Sequence, residues 1–204
     1  MRMFRNFLIG LFLAAVGIGA LLFIPSKQAP APMPWDITIM PDGKSRVMDI
    51  HLGTTTYRHT QEIFHEFGKI AAFTQEGHPS TVEAFFDSIH LGGLSGKLVL
   101  NLDVSEQRIA EMTSHANEAR LQDSGAHRYE LSNDDNTSVV DAKIIGITFI
   151  PSVKLNAEIA RYRFGEPENI TQDPENPATS YWNYPKTGLT ISLNDGEKSI
   201  LQYQ

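Results

Sequence analysis

Four side chains carry the most concentrated chemistry in this chain. His59, Glu62 and Glu66 share one face of a predicted helix at i, i+3 and i+7, with His65 beside them. Imidazole and carboxylate at helical spacing can ligate a divalent metal, as a metal-assisted hydrolase requires. The same residues stand opposite Ile63, Phe64 and Phe67, where a solvated polar face belongs, and no third-ligand motif follows elsewhere. His51, His78, His90, His115 and His127 are scattered without a partner pattern. No G-x-S-x-G elbow is present. Gly92-Gly93-Leu94-Ser95-Gly96 precedes no helix, so it reads as a tight hairpin between Ile89 and Lys97 rather than a phosphate cradle. Asp134-Asp135-Asn136 and Asp173–Asn176 are acidic loops without EF-hand spacing. Asn136-Thr137-Ser138 and Asn169-Ile170-Thr171 match the glycosylation sequon, which matters only on a eukaryotic secretory route. On these readings no catalytic residue, metal ligand or cofactor is assigned.

A second concentration is aromatic: Tyr181, Trp182, Tyr184 and Tyr203. On a strand, successive side chains face opposite sides, so Tyr181 and Asn183 point one way and Trp182 and Tyr184 the other. Exposed Trp and Tyr are favoured binding anchors. Tyr181, Trp182 and Tyr184 are therefore the candidate partner-binding residues, with core packing as the competing role.

Composition bounds the partner. Against 17 Lys and Arg stand 24 Asp and Glu, a net charge of −7 over 204 residues. That balance argues against nucleic acid and against lying flat on anionic headgroups. There is no Cys, which excludes disulfides, thiol catalysis, Cys-based zinc sites and a lipid-modified cysteine.

Phe7–Ile24 is an apolar run without charge, preceded by Arg2 and Arg5. At a 1.5 Å rise, about 18 residues span about 27 Å, close to the hydrocarbon core of a bilayer. The run is longer than the usual h-region of a secretory signal, and Pro32 would follow the Ala29-Pro30-Ala31 cleavage pattern. We read it as an uncleaved signal anchor in which Phe7, Leu11, Val16, Leu21 and Ile24 meet lipid. Gly10 with Ala14, and Ala15 with Gly19, have the spacing of close helix pairs. The positive-inside rule puts residues 1–6 in the cytoplasm and the bulk of the chain across the membrane. Residues 25–35 hold four prolines and read as a semi-rigid stalk.

The remaining 36–204 alternate short strand and helix patterns. Ile37–Met40 and Val47–Leu52 flank the turn Pro41-Asp42-Gly43. Thr54 or Thr55 can cap a helix reaching Phe67, with Gly68 as its stop. Strand patterns follow at Ile70–Thr74, Val82–Ile89 and Leu94–Val104, where Leu98, Leu100, Leu102 and Val104 share a face. Ser105 caps a second helix with Ile109, Met112 and Ala116 as its stripe. Asn117–Asp141 is the least regular part. Ile145–Ile150 is a strand, and Ser152 can cap a helix to Phe164, with Leu155 and Ile159 on its buried side. Ser180–Tyr184, Leu189–Leu193 and Ser199–Tyr203 form a meander with strong turn signals.

An offset of 97 lays Phe67-Gly68 on Phe164-Gly165, Ile50 on Ile147, Leu52 on Phe149 and Thr55 on Ser152. The expected fold is α+β: two tandem strand–helix–three-strand units, 36–142 and 143–204, with helices packed on antiparallel sheet behind an N-terminal transmembrane helix. The second unit runs Ile150-Pro151-Ser152, Phe164-Gly165-Glu166-Pro167, Tyr181-Trp182-Asn183-Tyr184 and Gly188-Leu189-Thr190-Ile191. It resembles the SmpA/OmlA type, the small accessory lipoproteins of outer-membrane β-barrel assembly. The tandem arrangement resembles that of the β-lactamase-inhibitor proteins. The resemblance implies an interaction module and not an enzyme. The expected function is a non-enzymatic, extracytoplasmic accessory module of a bacterial envelope. It would be held in the inner membrane with its C-terminal domain in the periplasm, binding an envelope or inner-membrane protein and no nucleic acid. A metal-assisted hydrolase or a small-ligand or lipid carrier are the rival classes.

Overall fold

The computed structural model describes Gly19 and residues 31–116 and 119–204. The anchor residues Phe7, Leu11, Val16, Leu21 and Ile24 lie outside the described residues. Among the described residues no helix is long and apolar enough to cross a membrane. Ala31–Gln204 is one unit of the chain and Met1–Pro30 another.

Three short strands open the first of these: β1 (Thr38–Ile39), β2 (Ser45–Val47) and β3 (Ile50–His51). Helix α1 (Tyr57–Phe64) follows, then β4 (Lys69–Gln75), β5 (His78–Leu91) and β6 (Leu94–Leu102). Helix α2 (Glu106–Ser114), β7 (Ala119–Leu121), β8 (His127–Glu130) and α3 (Asn133–Ser138) form the middle. The last part holds β9 (Ile144–Pro151), α4 (Ala157–Phe164), β10 (Asn169–Gln172), β11 (Thr179–Tyr184), β12 (Leu189–Asn194) and β13 (Ile200–Tyr203).

The expected tandem of α+β units is not what the chain builds. It is mostly sheet. Ten strands form one antiparallel sheet in the order β10-β11-β12-β13-β9-β6-β5-β4-β8-β7, and β1-β2-β3 form a second, small one. The reason lies in β9. It opens the second half of the chain, yet it pairs on one side with β13 and on the other with β6 of the first half. The strand that the offset lays on β9, Val47–Leu52, is broken instead. Met48 and Asp49 both take positive φ, 51° and 60°, and turn β2 back onto β3. Two consecutive left-handed residues make the tight hairpin turn that suits strand twist. The offset of 97 therefore pairs a small-sheet strand with a central one, and the halves are not equivalent.

One face of the large sheet is the core. Alternation puts Leu98, Leu100 and Leu102 of β6 inward, and Ile147 and Phe149 of β9 join them. A register row crosses seven strands: Tyr184, Leu189, Tyr203, Ile147, Leu100, Ala84 and Ile70. The helices and the small sheet share one hydrophobic cluster with this face through Tyr57, Phe64, Ile109, Met112, Ala160, Phe164, Met48 and Ile50. The Phe64 and Phe86 rings meet edge-on at 5.5 Å. Two polar links fasten the outer parts. Ser45 Oγ donates to Thr187 O at 2.6 Å, and the buried Tyr203 hydroxyl donates to Pro34 O at 2.8 Å. The opposite face carries Asn183, Thr190, Gln202, Thr148, Val99 and Phe85 in register. Its side chains are half-buried or exposed.

Two helices begin later than their sequence caps suggest. The Thr54 and Thr55 N–H groups both bond to His51 O, closing a turn after β3, so α1 starts at Tyr57. It ends at His65, with φ 59°, and Gly68 instead opens β4 against Phe86. Ser152 N–H bonds to Ser95 O and prolongs the β9–β6 ladder, which leaves capping of α4 to Asn156. The later start turns a different side inward. Ala160 is fully buried and Phe164 packs on the core, while Ile159 is 42% exposed and Leu155 lies in the preceding loop.

Gly96 of β6 stands opposite Pro151 of β9, close against Phe149 and Ile150. A Cβ there would stand 2.5 Å from Phe149 Cε2 and 2.6 Å from Ile150 O. Gly96→Ala is expected to cost about 1–3 kcal/mol in denaturant unfolding through overpacking. Gly93→Ala, with nothing within 4 Å of its Cβ, is the control and is expected to unfold like the parent.

Candidate functional site

Strand β8 pairs with β4 only from Ala71 to Thr74. Lys69 and Ile70 run on past its end. There the chain leaves the sheet at Leu131 and enters α3, whose first turn is held by Ser132 Oγ accepting from Asp135 N. The divergence opens a cleft of about 460 Å³. Tyr57 of α1 and Phe67 after it, Leu131, Asn136, Thr137 and Val140 in and around α3, and Lys69, Ile70, Arg128 and Glu130 of β4 and β8 line it.

The cleft is part apolar and part polar. Phe67 is 52% exposed, and its ring stands 6.0 Å from that of Tyr57. The Tyr57 hydroxyl donates to Gly68 O at 2.9 Å, and burial pushes its pKa up to about 12. Asn136 donates through Nδ2 to Leu131 O at 3.3 Å, but its Oδ1 is sealed from solvent with no hydrogen-bond partner. A buried acceptor without a donor typically costs about 1–3 kcal/mol, and with Oδ1 shut off from solvent it presents no open contact to an arriving ligand.

Lys69 and Arg128 also line a neighbouring cleft of about 350 Å³ on the open sheet face, with Phe73, Phe85, Glu83 and Gln122. Lys69 pairs with Asp87 at 3.0 Å, and Arg128 reaches Glu130 only at 3.8 Å. Glu83 accepts from Thr81 Oγ1 at 3.2 Å. Burial raises its pKa above the ordinary 4.5, and that hydrogen bond opposes the rise.

The sequence candidates fall elsewhere. His59 Nδ1 stands 2.9 Å from Glu62 Oε2 on the exposed side of α1. Among the described residues, no three His, Asp or Glu side chains are grouped to hold a metal. Trp182 and Tyr184 are buried at 4% and 8% exposure, and the Tyr184 hydroxyl donates to Gly165 O. Arg161 stacks over the Trp182 ring at 4.7 Å. Tyr181 points to the open face, half-buried, and its hydroxyl donates to Asp173 Oδ2 at 2.6 Å. That bond first, then the N–H groups of Glu175 and Asn176, holds the Asp173 carboxyl below the ordinary carboxylate range. The acidic loop thus closes on itself and on Tyr181. The strand's sidedness follows its period of two. The three aromatics do not form one surface.

Sequence reasoning placed Phe67 on the helix side opposite the polar face and gave Asn136 only an acidic loop and a sequon match. The signal that moves Phe67 outward is the left-handed His65, which ends the helix two residues before it. No family model, curated protein or solved structure matches this chain.

Trp182→Ala is expected to lose about 3–5 kcal/mol in equilibrium unfolding, because it empties a buried site. Tyr181→Phe deletes one exposed-side hydroxyl contact and should lose only about 1 kcal/mol.

Glu83 yields a pH dependence of definite sign. Its folded pKa is raised, so its stabilising contribution is complete below about 4.5 and is lost as pH rises through the elevated folded value. Glu83→Gln is expected to raise Tm at neutral pH and to flatten this part of the stability–pH curve. An unchanged profile would assign the group no net cost.

Proposed function

We propose that this chain is a non-enzymatic, membrane-anchored interaction module of a bacterial cell envelope. Its extracytoplasmic domain takes an extended segment of an envelope protein in the cleft where β4 outruns β8. The observation that carries the reading is the Lys69–Ile70 end of β4, which β8 leaves uncovered and which lines the cleft together with the exposed Phe67. A peptide laid along a strand edge supplies main-chain N–H donors at regular intervals, and side-chain pockets then select its sequence. Phe67 and Ile70 offer an apolar contact for one such side chain. The apolar run Phe7–Ile24 supports the tethered location, and the resemblance of the second half to envelope accessory domains supports the class of partner.

Photo-cross-linking in native membranes tests this. A photoreactive residue at position 67 is expected to give a discrete protein adduct, and one at position 121, exposed on β7, none. Phe67→Ala should leave Tm unchanged and reduce capture of the same adduct partner by a probe at position 137, which lines the same cleft from α3. Equal adducts at 67 and 121, or capture indifferent to Phe67, would overturn the assignment of the cleft.

A further inference from the structure

Three exposed apolar side chains stand close together in the chain around α4. Val153 is 61% exposed, Ile159 42% and Tyr162 81%. Ile159 and Tyr162 are one turn apart on α4 and share a side. Val153 and Ile159 also line an apolar cleft of about 230 Å³ together with Pro34, Trp35 and Arg163. The Arg163 guanidinium lies 4.2 Å over the Trp35 ring and 5.3 Å from that of Tyr162. Apolar tips, ring-bearing residues and the Arg163 guanidinium thus meet at one place.

Two observations say what covers that place. The first is the tether. Pro34, beside Trp35, is fastened to the core by the Tyr203 hydroxyl. Only Pro25–Pro30 separate Ile24, the last residue of the apolar run, from Ala31. Seven steps of extended chain reach at most about 25 Å, and the headgroup layer fills about 5–8 Å of that. With Phe7–Ile24 in the bilayer, the Pro34–Trp35 side of the domain cannot stand far from the lipid surface. The second is charge. The whole chain carries −7, yet from Val153 to Glu166 three cations (Lys154, Arg161, Arg163) outnumber two carboxylates (Glu158, Glu166). Arg161 is partly neutralised by Glu166 at 3.2 Å. Lys154 and Arg163 make no carboxylate contact among the ion pairs of the described residues.

We infer that Val153, Ile159 and Tyr162, with Trp35 and Arg163, are a lipid-contacting foot on which the domain rests at the surface of its own membrane. Aromatic rings and cationic side chains on apolar stems are the groups that settle at the headgroup level. The contact is peripheral and small. It orients a domain that the anchor already confines, and it rests on the anchor reading of Phe7–Ile24.

The absence of Cys makes the test direct, since every introduced thiol is unique. The full chain is placed in nanodiscs of mixed zwitterionic and anionic phospholipid containing headgroup-level spin-labelled lipid. A polarity-sensitive fluorophore is attached in turn through Val153→Cys, Tyr162→Cys, Leu121→Cys and Leu11→Cys. Probes at 153 and 162 are expected to be blue-shifted and quenched several-fold more than the probe at 121, which lies on β7. The probe at 11, read with deep spin-labelled lipid, reports the anchor. Quenching at 11 with none at 153 and 162, the pattern of a free or protein-covered patch, overturns the foot and leaves the anchor standing. Equal quenching at 121 and 153 overturns it as well. No quenching at 11 removes the tether argument and overturns both.

Discussion

The double pairing of β9 is the constraint on which the rest of the structure depends. Ile147 and Phe149 each face a partner on both sides, Leu100 and Leu98 from β6 and Tyr203 and Leu201 from β13. Neither half of the chain can complete its sheet without the other, because the strand they share belongs to only one of them. From that seam three strands extend each way before short outer strands finish the sheet. The helices then have one continuous apolar face to cover, and α1, α2 and α4, with the small sheet, pack side chains onto it. A sheet covered on one face leaves the other to water, and the Asn183–Thr190–Gln202–Thr148 row meets that requirement with polar side chains.

The outer strands are as informative as the centre. A long flat edge invites pairing with other chains, and proteins blunt it by shortening the edge strands. Here β10 has four residues and β7 three. The uncovered stretch of strand lies inward of the edge, at the Lys69–Ile70 end of β4. It is recessed behind Phe67 and α3, so access to it is shaped by side chains rather than open to any strand. Selective binding needs such a recess, and non-selective association needs its opposite.

Much of the local structure was legible, and for identifiable reasons. The β5–β6 hairpin was marked by Gly92-Gly93, and Gly92 takes φ 59° as that turn needs. The alternation of Leu98, Leu100 and Leu102 placed β6, and Pro185–Gly188 and Asn194-Asp195-Gly196 separated the last three strands. The strand β10 was not legible, because Asn169–Gln172 is exposed at all four positions and carries no burial pattern. The offset of 97 matched residue types that recur at the ends of any strand and helix, while pairing partners are chosen by surfaces far away in the chain. Met48 shows the limit well. A fully buried methionine in the left-handed region breaks the second predicted strand, and no local signal in Val47-Met48-Asp49-Ile50 announces it. The cleft was illegible for the same reason. Its lining joins Tyr57 and Ile70 to Asn136 and Thr137 of α3, distant in sequence. For the aromatic strand, period two separated Tyr181 from Trp182 and Tyr184. The engagement of the Tyr181 hydroxyl with Asp173, eight residues earlier, is a loop geometry that no periodicity encodes.

The bond from Tyr203 to Pro34 joins positions 169 residues apart, nearly the two ends of the domain. It lies on the path by which mechanical tension from the N-terminal side enters the fold. The strand that receives the pull, β13, is interior and gripped along both edges by β12 and β9. An edge strand under load unzips one hydrogen bond after another. An interior strand must shear two ladders together, so under traction the single Tyr203–Pro34 hydrogen bond yields before β13 does, and the load passes on along the backbone through Trp35 to β1.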